Sequence, residues 1–217
     1  MKIKYLGHSS FALTSDAGTI IVTDPYDGSI GFDMPCVEAH LVTLSHHHYD
    51  HANYGAVGGS PALLDRAQNG AFRDIEIRGV NSFHDDMQGA QRGENVIFVF
   101  TVDGMKICHL GDLGESVSQE LIGRIGAVDI LLVPVGGRYT IDASEAKKYV
   151  AAINPKVVIP MHFKTEDLTL DISGVEPFLR LFGGVEIRSA SSEISLSQGD
   201  ICGSKCKIIV MERAYNG

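Results

Sequence analysis

Leu41-Val42-Thr43-Leu44-Ser45-His46-His47-His48-Tyr49-Asp50-His51 sets a short apolar run directly against four histidines and an aspartate. The apolar run reads as a buried strand. In an extended segment residues i and i+2 point the same way, so His46 and His48 can converge on one ion. Asp50 and His51 follow once the chain has begun to bend, and they can face a second ion beside the first. His47 and Tyr49 alternate with these donors and are expected to point away. Imidazole suits zinc, iron and nickel, and carboxylate suits harder ions such as manganese. The mixed set fits a borderline divalent metal.

Two ions need three or more protein donors each, so further donors must arrive from other strand ends. Three residues have that setting. His84 follows Val80-Asn81-Ser82-Phe83, Asp112 follows Ile107-Cys108-His109-Leu110-Gly111, and His162 follows Val157-Val158-Ile159-Pro160-Met161. Gly111 permits close approach beside Asp112. The segment from Asp85 to Gly93 is polar and Gly-rich and shows no tight motif.

The rest of the chain supplies strands and helices in alternation. Lys2 to Leu6 and Ser10 to Thr14 read as strands, with a turn at Asp16-Ala17-Gly18 and a buried strand from Thr19 to Thr23. Pro61 to Gln68 is expected to be a short helix. Ile75 to Val80, Val96 to Val102 and Met105 to Leu110 read as strands, the last two joined at Asp103-Gly104. Glu115 to Ile125 has helical spacing. Asp129 to Val133 and Lys156 to Met161 are strands. Asp142-Ala143-Ser144-Glu145 and Ser173-Gly174-Val175-Glu176 have capping-box spacing, which predicts helices to about Ile153 and Phe182. Short strands around Glu186 and Ile194, and one from Lys207 to Met211, close an α/β chain. The element order fits two sheets packed face to face with helices outside.

Composition narrows the functions. The 217 residues are 44% hydrophobic and 21% charged, ordinary globular usage, and no linker or repeat divides them, so residues 1–217 read as one domain. Lys plus Arg total 18 against 27 Asp plus Glu, a net charge of −9 with no basic cluster, which argues against nucleic acid as a partner. No apolar run is long enough to span a membrane, and no signal-type segment opens the chain, so the cytoplasm is the expected compartment. Cys202 and Cys206 lie four apart without further soft ligands, a poor zinc site. No Gly-x-Ser-x-Gly elbow, Walker loop or dinucleotide fingerprint is present.

At His46-His47-His48-Tyr49-Asp50-His51 the chain resembles the metallo-β-lactamase superfamily, whose signature is His-x-His-x-Asp-His. The likeness spans nearly the whole chain through Gly7-His8-Ser9-Ser10, Thr23-Asp24-Pro25, His109-Leu110-Gly111-Asp112, Pro134-Val135-Gly136-Gly137 and Pro160-Met161-His162. It looks nearest to a branch of small metal-dependent hydrolases that includes ascorbate-6-phosphate lactonase-like proteins. The resemblance implies a four-layer αββα sandwich with two divalent ions at one edge, zinc first, manganese or iron second. His46, His48 and His84 would hold one ion, Asp50, His51 and His162 the other, and Asp112 would bridge. Asp24 reads as a carboxylate that orients a metal-bound imidazole.

Two ions about 3.5–4 Å apart can share a hydroxide and polarise the bond it attacks. Asp50 and Asp112 are then the catalytic carboxylates, and the expected reaction is hydrolysis of a small ester, lactone or phosphoester. His8, after Gly7, and Arg138, after a buried strand, are the candidate substrate contacts; a guanidinium suits a carboxylate or phosphate. His109 is placed under the site. Two other uses of the fold stand beside this one: iron-dependent redox chemistry, which needs an outside electron donor, and RNA processing, which calls for a basic arm that the chain lacks. Oligomeric state is not legible.

Overall fold

The computed structural model describes residues 1–203 and 205–215. The chain opens with β1 (Lys2–Gly7), β2 (Ser10–Thr14), β3 (Ile20–Thr23), β4 (Leu41–Thr43), β5 (Ala62–Leu64) and β6 (Asn69–Phe72). It continues through β7 (Ile75–Phe83), β8 (Glu94–Val102), β9 (Met105–His109), α1 (Gln119–Ile125), β10 (Ile130–Pro134), α2 (Ala143–Ile153) and β11 (Val157–Met161). It ends with α3 (Glu176–Leu179), β12 (Glu186–Ala190), β13 (Glu193–Ser195), α4 (Gln198–Ile201) and β14 (Lys207–Met211). Six strands form one sheet in the order β13-β1-β2-β3-β4-β5, and eight form the other in the order β12-β14-β11-β10-β9-β8-β7-β6.

The sheets face one another across an apolar layer. Ile3, Tyr5, Phe11, Leu13 and Ile21 from the first sheet meet Phe98, Phe100, Ile107, Leu132 and Ile159 from the second. Alternate residues of the second sheet, among them Val99, Cys108, Leu131, Val133 and Val158, pack outward on Leu121, Ile125, Tyr149, Val150 and Phe178 of α1 to α3. Covered on both faces, β10 and β11 are buried at every position, which is why they read as unbroken apolar runs. The outer face of the first sheet, Leu6, Ala12, Val22 and Val42, is covered by Met34, Val37, Ala52, Tyr54 and Val57 from the segment 34–57, which carries a 3-10 turn at Tyr54–Ala56. That cover is thinner than an α-helical layer.

Several local expectations change. Ala62-Leu63-Leu64 is extended, because it pairs in parallel with Leu41-Val42-Thr43; pairing outweighs the helix propensity of Ala and Leu. The helix expected from Glu115 begins at Gln119, where the Ser118 side chain accepts from the Leu121 N–H. Asp142 caps α2 by accepting from the Glu145 N–H at 2.8 Å, but the Glu145 carboxylate accepts from the Val117 N–H instead of closing the box. The helix expected from Ser173 spans only Glu176–Leu179, since the Ser173 backbone bonds Lys164 and Gly136. Strand β6 and helix α4 were not foreseen.

Topology brings the functional edge together. Strands β3 and β4 are parallel, and β1 runs the same way through antiparallel β2. In the other sheet β9, β10 and β11 are parallel, and β7 shares their direction through antiparallel β8. The C-terminal ends of these strands therefore share one edge in each sheet. The His162 N–H to the His8 carbonyl (2.9 Å) and the Val96 N–H to the Ser45 carbonyl (2.8 Å) tie the two edges to each other.

Candidate metal centre

Each candidate donor sits just past one of those strand ends, where the chain must turn sharply. His8, Asp24 and His162 do so with φ of 53°, 41° and 50°. Non-glycine residues are uncommon in this left-handed region, and Asp and His are among those that tolerate it.

Donor atoms of His46, His48 and His84 lie within 4.8 Å of one another, and so do those of His8, Asp50, His51 and His162. Between the two groups stands Asp112. Its Oδ2 is 3.4 Å from His84 Nε2 and 3.9 Å from His46 Nε2 on one side, and 3.2 Å from both His51 Nε2 and His162 Nε2 on the other. His46, His48 and His84 thus come together in one group and Asp50, His51 and His162 in another, with His8 beside the second. His8 is buried, its Nε2 3.3 Å from Asp50 Oδ2 and its ring 4.3 Å from that of His162. It stands among the donors and not on the cleft wall where a substrate contact would lie.

A single network sets two imidazoles. Asp24 Oδ1 accepts from the Ser45 N–H at 2.7 Å, and its Oδ2 accepts from the Ser45 hydroxyl at 2.5 Å and from His51 Nδ1 at 3.0 Å. With its proton given to Asp24, the Ser45 oxygen accepts from His46 Nδ1 at 2.9 Å. Both rings then carry their protons on Nδ1, and each presents an Nε2 lone pair inward. Among the described residues nothing accepts or donates at those inner atoms: His46 Nε2, His51 Nε2, His162 Nε2 and Asp112 Oδ1 are buried without a hydrogen-bond partner. Buried polar atoms are rarely left so, and here they converge as ligands of a cation would.

The electrostatics point the same way. Burial alone would raise the Asp112 carboxyl, but His162 and His51 outweigh it and hold it well below the carboxylate range. Burial opposes ionisation of Asp50 too, and His8 and His51 overcome that. His51 is pushed well above the ordinary imidazole value, against burial, by Asp112, Asp24 and Asp50. His46 goes well below it, through burial and the nearby His51. Three buried carboxylates, Asp112, Asp24 and Asp50, thus face one imidazole, a concentration of negative charge that a bound cation would balance.

One support, Asn95, escaped the sequence reading. Asn95, wholly buried, accepts the Asp112 N–H at 2.9 Å and donates to the Ser82 hydroxyl at 2.7 Å and the Leu110 carbonyl at 2.9 Å. Gly111, at φ 57°, passes between Asn95 and Ser45, and a Cβ there would strike Asn95 Oδ1 and come to 2.5 Å from Ser45 Cβ. His109 lies beneath: its Nε2–H donates to the Ser9 carbonyl at 2.7 Å and its Nδ1 accepts the Gly111 N–H at 3.2 Å. Both nitrogens are used, so it is a neutral brace.

Above the centre opens a cleft of about 350 Å³, with His48, Asp50, His84 and Asp112 at the bottom and Tyr49, Arg92, Tyr139 and Leu170 around it. Of the residues expected to point away, His47 does so, facing Asp65 at 3.6 Å, whereas Tyr49 joins the wall. Arg138 does not line the cleft. It is 54% exposed and ion-paired with Asp171. Among the described residues, no group of metal-capable side chains includes Cys202 or Cys206, and no helix is long and apolar enough to cross a membrane.

Comparison with known proteins places this edge in a family. Residues 2–162 match the β-lactamase superfamily domain. A UPF0173 metal-dependent hydrolase of Pelotomaculum thermopropionicum is 31% identical over 196 residues, covering 76% of this chain and 85% of that one. Its counterpart from Methanoregula boonei is 30% identical over 200 residues, covering 80% and 87%. A candidate Zn-dependent hydrolase of the metallo-β-lactamase superfamily from Thermotoga maritima superposes with a TM-score of 0.82 at 38% identity, covering 98% of this chain and 99% of that one. With its donors at the strand ends of two facing sheets, this chain belongs to the metallo-β-lactamase superfamily, beside the metal-dependent hydrolases.

Proposed function

We propose that this protein hydrolyses a small ester, lactone or phosphoester with the help of two divalent ions, zinc first. The observation that carries the reading is the place of Asp112, whose one oxygen lies 3.2–3.4 Å from imidazole nitrogens of both donor groups. His46, His48 and His84 would hold one ion, and Asp50, His51 and His162 the other, with Asp112 shared. Ions held there supply Lewis acidity and water that ionises near neutral pH.

The chain's own part is to orient and to handle protons. Asp24 and Ser45 keep the His51 and His46 lone pairs aimed inward. Asp50 borders the cleft and stays ionised beside His8, so its carboxylate is placed to accept a proton from an attacking water. The cleft volume lies at the small-ligand end of known sites, roughly 300–1,000 Å³, which favours a small molecule over a polymer. The net charge of −9 also disfavours nucleic acid.

The test is to purify the protein without added metal, measure metal stoichiometry, and assay phosphoesters, lactones and esters. Near two equivalents of metal and turnover in one class are expected, and His48→Ala should lower both together. Full activity in that variant, or no retained metal in the parent, overturns the reading. Turnover that consumes oxygen with bound iron would replace it with redox chemistry, and cleavage of RNA would replace it with processing.

A further inference from the structure

The sequence shows no motif between Asp85 and Gly93, yet the structure builds that segment around one buried carboxylate. Asp85 Oδ1 accepts the N–H groups of Met87 (2.8 Å) and Gly89 (2.9 Å), and Oδ2 accepts those of Gln91 (2.9 Å) and Arg92 (2.7 Å). The Gly93 N–H bonds the Gly89 carbonyl, and the His84 N–H bonds the Gly93 carbonyl, so the loop closes on the candidate ligand His84. Four bonds to one carboxylate make this a rigid mount, and what it mounts at the cleft is Arg92.

Among the described residues that line the cleft, Arg92 is the one arginine or lysine. It is half-buried, with its guanidinium 5.9 Å from the Tyr139 ring centroid. Among the described residues the arginines with a carboxylate partner are Arg138, Arg188 and Arg213; Arg92 has none. A guanidinium offers five donors in a planar fork that matches carboxylate and phosphate oxygens. In a protein of net charge −9, a mounted arginine that shares the cleft with Asp50 and Asp112 yet forms no ion pair with either is free to receive an anion from outside.

We propose that the substrate carries an oxyanion, a carboxylate or a phosphate, which Arg92 grips at the cleft wall, away from the reacting bond. The proposal rests on the hydrolytic reading of the site and makes Arg92 its specificity residue. Tyr49, Tyr139 and Leu170 flank the part of the substrate between the two ends.

Calorimetric titration of the metal-loaded protein with pentanoate, butylphosphonate and neutral pentanamide tests it. At least one anion should bind about tenfold or more tighter than the amide. Arg92→Gln should remove that margin at unchanged metal content, Arg92→Lys should restore part of it, and Arg138→Gln should keep it. Whichever anion binds more tightly in an Arg92-dependent way identifies the oxyanion as carboxylate or phosphate. Equal binding of the amide, or a margin that survives in Arg92→Gln or falls in Arg138→Gln, overturns the proposal. Ester turnover measured alongside separates the two readings. Turnover without an Arg92-dependent anion margin leaves hydrolysis standing and sinks this inference. Arg92-dependent anion binding without turnover of any ester, lactone or phosphoester does the reverse.

Discussion

Asp24 and His51 meet at 3.0 Å, carboxylate Oδ2 to imidazole Nδ1, and neither side chain reaches solvent. The contact joins the end of β3 to the signature hexapeptide and determines which nitrogen of His51 faces the centre. In Asp24→Asn the ring loses its charged acceptor. Metal affinity should fall roughly 10–100-fold, the usual cost of removing such a partner. Chelator competition measures it, and unchanged affinity would show that His51 is oriented by something else.

Asn95 is the comparable support for Asp112. Asn95→Ala strands the Asp112 N–H and the Leu110 carbonyl in the interior, at about 1–3 kcal/mol for each buried group. Urea unfolding should show a loss of that size, with a lower metal stoichiometry because the turn carrying Asp112 loosens. A variant as stable as the parent would contradict this role.

The Asp85 mount can be tested apart from binding. Asp85→Ala removes the acceptor of four backbone N–H groups at once. Hydrogen exchange at Met87, Gly89, Gln91 and Arg92 should accelerate together, while amides of β10 and β11 keep their protection. Scattered or absent acceleration would mean that the loop holds without the carboxylate.

His109 predicts a pH dependence. Burial lowers its pKa in the folded chain, and although Asp24 and the Ser9 carbonyl pull the other way, the net direction is down. For a base with a lowered folded pKa the unfolded chain binds the extra proton. The contribution to stability is therefore complete above the ordinary value of about 6.5 and is lost as pH falls through the folded value. His109→Gln should be less stable than the parent at pH 7.5, and the gap should narrow on acidification. Denaturant melts across that range give the comparison, and a constant gap would exclude a neutral brace.

Much of the molecule was legible because local and global demands agree. The apolar runs at Ile130–Pro134 and Val157–Met161 read as buried strands since both faces are covered. The donors at 46, 48, 50, 51, 84, 112 and 162 were readable as side chains placed at strand ends, where ligand chemistry is the only common theme. Ala62–Leu64 was misread because its partner, β4, lies twenty-one residues back, and helix propensity is all a short window contains.

Arg138 and Arg92 mark the boundary. Both follow or precede structured elements in glycine-rich segments, and nothing local separates them. Side-chain chemistry, spacing and strand periodicity pointed to metal-capable side chains at strand ends, since those depend on near neighbours in the chain, and the family resemblance implied the fold that carries them. Which arginine faces the cleft, that His8 stands beside the donors, and that Asn95 holds the turn at Asp112 depend on contacts between segments well apart in sequence. Such contacts exist only once strands have paired and the sheets have packed, because burial is what makes hydrogen bonds such as those of Asn95 necessary.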